Sequence, residues 1–311
     1  MIRYEPHPRW IQDIVRLPIS YALRRALYGM LLIGAYASLV VWLMDVFDQV
    51  ELPHGAAAFG VLGGAISLGL GFRLNNAYAR WWEGRQHWGL LINHCRNLAG
   101  LVQSMWAKED ASGRQRMAGL VGDFVIGLSA DLRGELDLAE LETLTADERE
   151  EIAKRGHPLS YVSQLVWSEI EQRHRDGVLG VGELVLVQPH ARALLDVLGA
   201  CERIRKTPIP FALTSAIRAF LLLFALLIPL GLHDEFGWLA VPISMFAFYA
   251  LAVMDVLAAE LEDPFGLDCN DLPTRSMAEM IRRQVHELLG VTRDGAPDRQ
   301  PASPALYAKF H

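Results

Sequence analysis

The sequence predicts an all-α membrane protein with four transmembrane helices per subunit and a helical cytoplasmic domain. Three observations carry that expectation. Four apolar stretches near the ~20 residues needed to cross a bilayer occur as two pairs, Leu27–Phe47 with Ala56–Leu74 and Pro210–Leu232 with Trp238–Ala258. Residues 83–206, between the pairs, hold most of the charge and repeat apolar positions at helical spacing, as in Leu90, Leu91, His94, Leu98, Leu101 and Val102. Of the 311 residues 52% are hydrophobic and 21% charged, with mean hydropathy +0.19, a balance between a soluble protein and a pure membrane bundle.

Residues 1–25 carry Arg3, Arg9, Arg16, Arg24 and Arg25 around Trp10, Ile14 and Leu17, which predicts an interfacial segment on the cytoplasmic surface. The opening MIRYEPHPRWIQDIVRLP is polar and Pro-broken, so no cleavable signal peptide is expected and the first span serves as the insertion signal. Residues 26–82 hold the first two spans. The first is apolar until Asp45, and the loop after it contains Asp48 and Glu51 but no Lys or Arg. Because Lys and Arg prefer the cytoplasmic side, the N-terminus is expected inside and this loop outside.

The second span returns the chain. From Ala56 to Phe72 no residue is charged, and Arg73, Arg80, Trp81 and Trp82 then mark a cytoplasm-facing exit. Arg80, Trp81 and Trp82 read as a structural anchor at the headgroup level, with Arg85 and Trp88 in reach for cation–π or stacking contacts. Gly60, Gly63, Gly64, Gly69 and Gly71 crowd this one span. Small residues let membrane helices approach closely, so tight packing is one reading. The four-residue spacing of Gly60, Gly64, Leu68 and Phe72, which keeps them on one face, gives the other: an apolar ring, if several copies repeat it around an axis.

In the cytoplasmic domain, 83–206, Thr145-Ala-Asp-Glu148 reads as a capping box opening a short helix that His157-Pro158 ends. The acidic run Glu135–Glu151, interleaved with Leu136, Leu138, Leu141 and Leu144, reads as a solvated amphipathic face. The third and fourth spans lie in 207–259. Arg218 stands seven residues past Phe211, only about 10 Å deep at 1.5 Å per residue, so it is expected to snorkel to the cytoplasmic interface, with a buried functional ion pair as the alternative. The short turn His233-Asp234-Glu235 lacks Lys and Arg, as an outer turn should. The remainder, 260–311, is polar and cytoplasmic, with an amphipathic helix expected over Arg275–Leu289 and a Pro- and Ala-rich tail, Gly295–His311, without structure of its own.

Several function classes drop out. A net charge of −7 with no basic cluster offers nothing to nucleic acid. No nucleophile elbow, zinc-binding His-Glu-x-x-His, phosphate loop or dinucleotide fingerprint is present, so neither an enzyme nor a cofactor is expected. Cys95, Cys201 and Cys269 are widely separated and read as free thiols on the reducing side. His87, His94, His157, His174 and His190 are dispersed and read as ordinary surface or core histidines. The absence of an internal repeat removes support for an inverted-repeat transporter.

The run GFRLNNAYARWWEGRQHWG (Gly71–Gly89) resembles the bestrophin family of ion channels, whose second membrane helix carries an apolar stretch followed by Arg-Trp-Trp. GACERIRKTPIPF (Gly199–Phe211) and ELEDPFGLDCNDLP (Glu260–Pro273) are similar to its bacterial branch, and the likeness covers about residues 10–290. The resemblance implies a homopentamer in the bacterial inner membrane, with both termini cytoplasmic and the second span of each subunit lining a central pore. Its three neck positions fall on Phe72, Leu68 and Gly64, the last departing from the usual bulky aliphatic residue.

A second constriction, at the cytosolic exit, is implied within Val178–Val187, with Leu179 and Leu184 as candidates. Animal members hold calcium in an acidic run after the Pro-Phe-Gly turn. Here Asp263, Asp268 and Asp271 match that pattern while Leu267, Cys269 and Asn270 dilute it, leaving a doubtful site. Bacterial members resembling this chain conduct monovalent cations and animal members conduct chloride, so the branch implies a sodium-type pore, with an anion channel as the alternative. A scaffold or sensor without ion flux, whose Gly-rich span merely packs, is the alternative from another class.

Overall fold

The computed structural model describes residues 21–47, 56–107, 110–268 and 270–291. Residues 1–20 of the interfacial segment, Asp48 and Glu51 of the outer loop, Cys269 and the Gly295–His311 tail lie outside the described residues. Within them the regular elements are all helical: α1 (Tyr21–Val46), α2 (Ala56–Met105), α3 (Ala111–Asp131), α4 (Ala146–Ala153), α5 (Pro158–Arg175), α6 (Val181–Lys206), α7 (Phe211–Phe236), α8 (Ala240–Glu262) and α9 (Thr274–Leu288), with 3-10 turns at Leu138–Glu140 and Gly237–Leu239.

The organising element is α2, which at 50 residues is about 75 Å long, more than twice the thickness of a hydrocarbon core. It takes part in two separate cores. Along its first half, Ile66 and Leu70 pack with Ile217, Leu221, Phe224 and Ile228 of α7 and Leu251 of α8. Along its second half, Trp88, Leu91, Cys95, Leu98 and Val102 join the apolar faces of α3, α5, α6 and α9. The packed residues Gly63, Ile66, Leu70, Arg73, Ala77, Trp81, Gly84, Trp88, Leu91, Cys95, Leu98 and Val102 recur every three or four positions, the spacing that keeps one helix face together.

Three described stretches are long and apolar enough to cross a membrane: Arg24–Val46, Val181–Lys206 and Phe211–Glu262, the last holding both α7 and α8. Length and composition do not settle location. In α6, Val187, Ala191, Leu194, Val197 and Cys201 are buried in the same core as Met117 and Phe124 of α3, which puts that helix with the charged part of the chain. The glycine-rich half of α2 is not among the three stretches, yet it packs on α7 and α8 and so lies with the membrane helices.

Local chemistry sets several of the ends. Thr145 and Glu148 form the expected capping box of α4, and Asp110 accepts from the Gly113 N–H at 2.9 Å to start α3. His157-Pro158 does not end α4, which stops at Ala153; Pro158 is instead the first residue of α5, where a missing N–H costs nothing. His233-Asp234-Glu235 is likewise no turn. It forms the last turn of α7, and the reversal comes at Gly237, whose φ of 53° is open to glycine without strain. Here His233 Nε2 stands 2.9 Å from Asp45 of α1, which also accepts from Trp238 Nε1 at 2.9 Å. At the other end of the chain, α9 buries Met277, Ala278, Ile281 and Val285 and exposes Ser276 and Arg283, the amphipathic helix expected there.

Candidate functional site

The first half of α2 has two unlike faces. The packed face is tight: a Cβ added to Gly63 would sit 2.9 Å from the Phe224 ring. Among the described residues the opposite face has no partner within the subunit. Leu68 and Phe72 are each 63% exposed, and nothing lies within 4 Å of where a Cβ would stand on Gly60 or Gly64. Gly60, Gly64, Leu68 and Phe72 thus form an outward apolar stripe at four-residue spacing. Below it the uncharged exposed residues Asn75, Asn76, Ala79, Gln86, Leu90, Asn93 and Asn97 continue along the helix, with exposed Arg85 and Arg96 and the Arg203-paired Glu83 beside them.

The anchor at the foot of the stripe is made differently from the sequence expectation. Arg80 donates from Nε to the Glu262 carbonyl at 3.1 Å and from its other nitrogens to the Ile204 and Thr207 carbonyls, tying α2 to the ends of α8 and α6. Trp81 stacks on Tyr78, with ring centroids 6.1 Å apart, and donates from Nε1 to the Asn270 carbonyl at 3.0 Å. Trp88 is buried in the lower core, against which Trp81 packs half-buried. Trp82 is exposed.

Two residues credited with simple roles belong to one buried network. Arg73, read as the mark of a cytoplasmic exit, is sealed between helices and ion-paired with Asp255. Arg218 does not simply snorkel: its Nε pairs with Asp255 Oδ2 at 3.0 Å while its side chain stays half exposed. Asp255 escaped the sequence reading altogether. A lone carboxylate inside the fourth span, opposite Arg73 and Arg218, was the available signal, because intramembrane charges are costly and seldom unpaired.

For the cytosolic constriction, Leu179 is 1% exposed and lies in the lower core, and Leu184 packs half-buried against it. The apolar side chains that do face outward in Val178–Val187 include Val181 at 70% and Val185 at 60% exposure.

In the acidic turn after α8, the carboxylates serve their own backbone. Asp263 accepts from the Phe265 N–H at 3.4 Å, and Asp271 Oδ2 accepts from the Asp268 N–H at 2.6 Å. Burial pushes the Asp271 carboxyl up to about 7; the Asp268 N–H opposes the rise and the charges of Asp268, Asp263 and Glu260 add to it. Among the described residues no group of three or more His, Cys, Asp or Glu side chains that could hold a metal ion is found. Calcium requires 6–8 oxygen ligands.

His94 of α2 and His190 of α6, read as dispersed, meet with their Nδ1 atoms 3.0 Å apart. Cys95 and Cys201 are free and buried, and burial pushes both thiols up to about 12.

The chain matches the family model described as Bacterial/Fungal Bestrophin protein over residues 1–287. It is 32% identical over 260 residues to a voltage-dependent anion channel-forming protein of Ralstonia nicotianae, covering 82% of this chain and 83% of that one. It is 29% identical over 298 residues to the voltage-dependent anion channel-forming protein YneE of Escherichia coli K12, covering 94% of this chain and 97% of that one. Among solved structures, it superposes on a bacterial bestrophin homolog from Klebsiella pneumoniae with TM-score 0.82 and 30% identity, over 86% of this chain and 99% of that one.

Proposed function

The chain belongs to the bacterial and fungal bestrophin family, and from that premise we propose a homopentameric ion channel in which α2 of every copy lines an axial passage. The observation that carries the reading is the uncharged, unpartnered stripe of Gly60, Gly64, Leu68 and Phe72 on a helix whose other face is closely packed. Five such stripes facing one axis make an apolar neck at Gly64, Leu68 and Phe72. A neck of this kind stops ions by dewetting and passes them when it widens.

Each subunit crosses the inner membrane four times, through α1, the Ala56–Leu74 part of α2, α7 and α8, with both termini in the cytoplasm. At the aqueous end of the passage, the outward Val181 and Val185 take the place of Leu179 and Leu184 as candidates for a second constriction. The lipid bilayer, the other copies and permeant inorganic ions are the partners, and the protein acts as a channel rather than an enzyme.

The neck itself has no charge to select by sign. The resemblance to the bacterial branch favours monovalent cations, sodium among them. The names of the relatives favour a second reading, an anion channel. Purified protein in a bilayer with asymmetric sodium chloride separates the two: a reversal potential near the sodium equilibrium value supports the first, one near the chloride value the second. Leu68→Ala and Phe72→Ala should each raise the current; unchanged currents in both would remove them from the neck. A folded pentamer with no flux in liposomes would favour the scaffold or sensor.

A further inference from the structure

Arg73 follows Phe72 in sequence but turns to the packed side of α2, where it is only 2% exposed. Its Nη1 pairs with Asp255 Oδ1 and donates to the Asp255 carbonyl at 3.3 Å, while Nη2 stands 3.6 Å from Glu262 Oε2, two turns further along α8. The second oxygen of Asp255 accepts from Arg218 of α7 at 3.0 Å. Two cations and two carboxylates from three helices therefore meet at one level, and their formal charges cancel. Among the described residues Arg73 Nε has no hydrogen-bond partner.

Such a network is an expensive way to hold helices together. A buried ion pair seldom adds net stability over apolar residues of the same size, and its best-attested use is to fix one register among several. The apolar contacts around Ile66 and Leu70 have no direction and tolerate a small roll of α2, whereas a guanidinium bonded to both a side chain and a backbone carbonyl of Asp255 does not. A roll of α2 swings Phe72, the adjacent residue, by the same angle.

The geometry points to Arg73 as the positioning residue of the neck: clamped by Asp255, it fixes the rotation of α2 on α8 and so the direction in which Leu68 and Phe72 face. This rests on the neck proposed above. The alternative role, a strut that only holds the fold, predicts a change in stability without a change in the passage.

The test measures bilayer current and thermal unfolding of the assembled protein for Asp255→Asn and Arg73→Gln, each made in the native neck and in a Leu68→Ala/Phe72→Ala background. Both single variants should raise the basal current about 2- to 30-fold, the range that 0.5–2 kcal/mol of coupling gives, and neither should change it further once the neck is gone. Should either variant fail to assemble, Arg218→Gln keeps the test alive: it takes one of Asp255's two cations away from a half-exposed position and should raise the current in the same direction by less. Unchanged current in the native neck overturns the assignment, as does an equal rise in both backgrounds. The neck reading fails separately, when Leu68→Ala/Phe72→Ala alone leaves the current unaltered.

Discussion

Gly63 of α2 and Phe224 of α7 are in contact so close that a Cβ on the glycine would stand 2.9 Å from the ring, whereas Gly64, the next residue, faces open space. The two glycines therefore answer differently to the same substitution. Gly63→Ala forces the buried Phe224 ring to move and should cost about 1–3 kcal/mol. Gly64→Ala has room and should leave stability unchanged or raise it by up to about 1 kcal/mol. Thermal unfolding of the detergent-solubilised protein compares them, and equal losses would refute the two-faced description of α2. Gly64→Leu should lower the ion current while the protein still assembles.

Trp81 Nε1 donates to the Asn270 carbonyl at 3.0 Å, and Gly84, one turn on, lets Phe265 approach α2 so closely that a Cβ there would be 3.1 Å from the ring. Trp81→Phe keeps most of the stacking on Tyr78 and removes the hydrogen bond, at a cost of about 1 kcal/mol. A melting temperature unaltered by Trp81→Phe would show that the bond contributes nothing.

Asp271 gives a pH dependence whose sign is opposite to that of a carboxylate held in an ion pair, whose pKa the fold lowers. Its pKa in the fold is raised from 3.8 to about 7, so the folded state holds a proton that the unfolded chain releases earlier. The contribution is fully present below pH 3.8 and is lost as pH rises through about 7. Asp271→Asn retains an acceptor for the Asp268 N–H and removes the titration. It should therefore raise the melting temperature above pH 7 and flatten its profile between pH 4 and pH 8; a variant with the parent's profile would sink the assignment.

His190 runs the other way. Burial, followed by the charge of His94, lowers its pKa from 6.5, so the fold takes up fewer protons than the unfolded chain. Stability is present above pH 6.5 and declines as the solution is made more acid. His94→Gln removes the facing imidazole 3.0 Å away and should lessen the acid sensitivity, measured as the fall in melting temperature between pH 7.5 and pH 5.5.

Cys95 and Cys201 are buried with thiols pushed up to about 12, and the thiolate is the reactive form. Neither should be alkylated by maleimide at pH 7 in the folded protein, and both should react in denaturant. Mass spectrometry of the labelled peptides reads the difference.

Much of this molecule was legible in its sequence because membrane and aqueous helices differ in composition over long windows. The helices of the two apolar pairs, the Thr145–Glu148 capping box and the amphipathic α9 were legible from spacing and cap chemistry, although hydropathy alone passes α6 and leaves out the glycine-rich half of α2. The four-residue spacing of Gly60, Gly64, Leu68 and Phe72 did pick out residues that share an outward face. What spacing could not give is which residues from distant segments meet. Arg73, Arg218 and Asp255 come from three helices, and a single Asp vanishes when hydropathy is averaged over a span. His94 and His190 looked scattered because 96 positions separate them, though α2 and α6 lay them side by side. Leu179 was a candidate for the cytosolic constriction through the family resemblance alone, and its place in the lower core depends on burial, a tertiary property that spacing does not give.

Because α2 runs unbroken through 50 residues, its two halves are locked in phase like teeth cut on one shaft. One residue inserted near Gln86 would turn everything before it by about 100° relative to everything after it, and seven inserted residues would bring the two nearly back into alignment. Chimaeras that exchange the apolar half with that of another protein must therefore be spliced in register within this helix, since it offers no slack in which a mismatch could be absorbed.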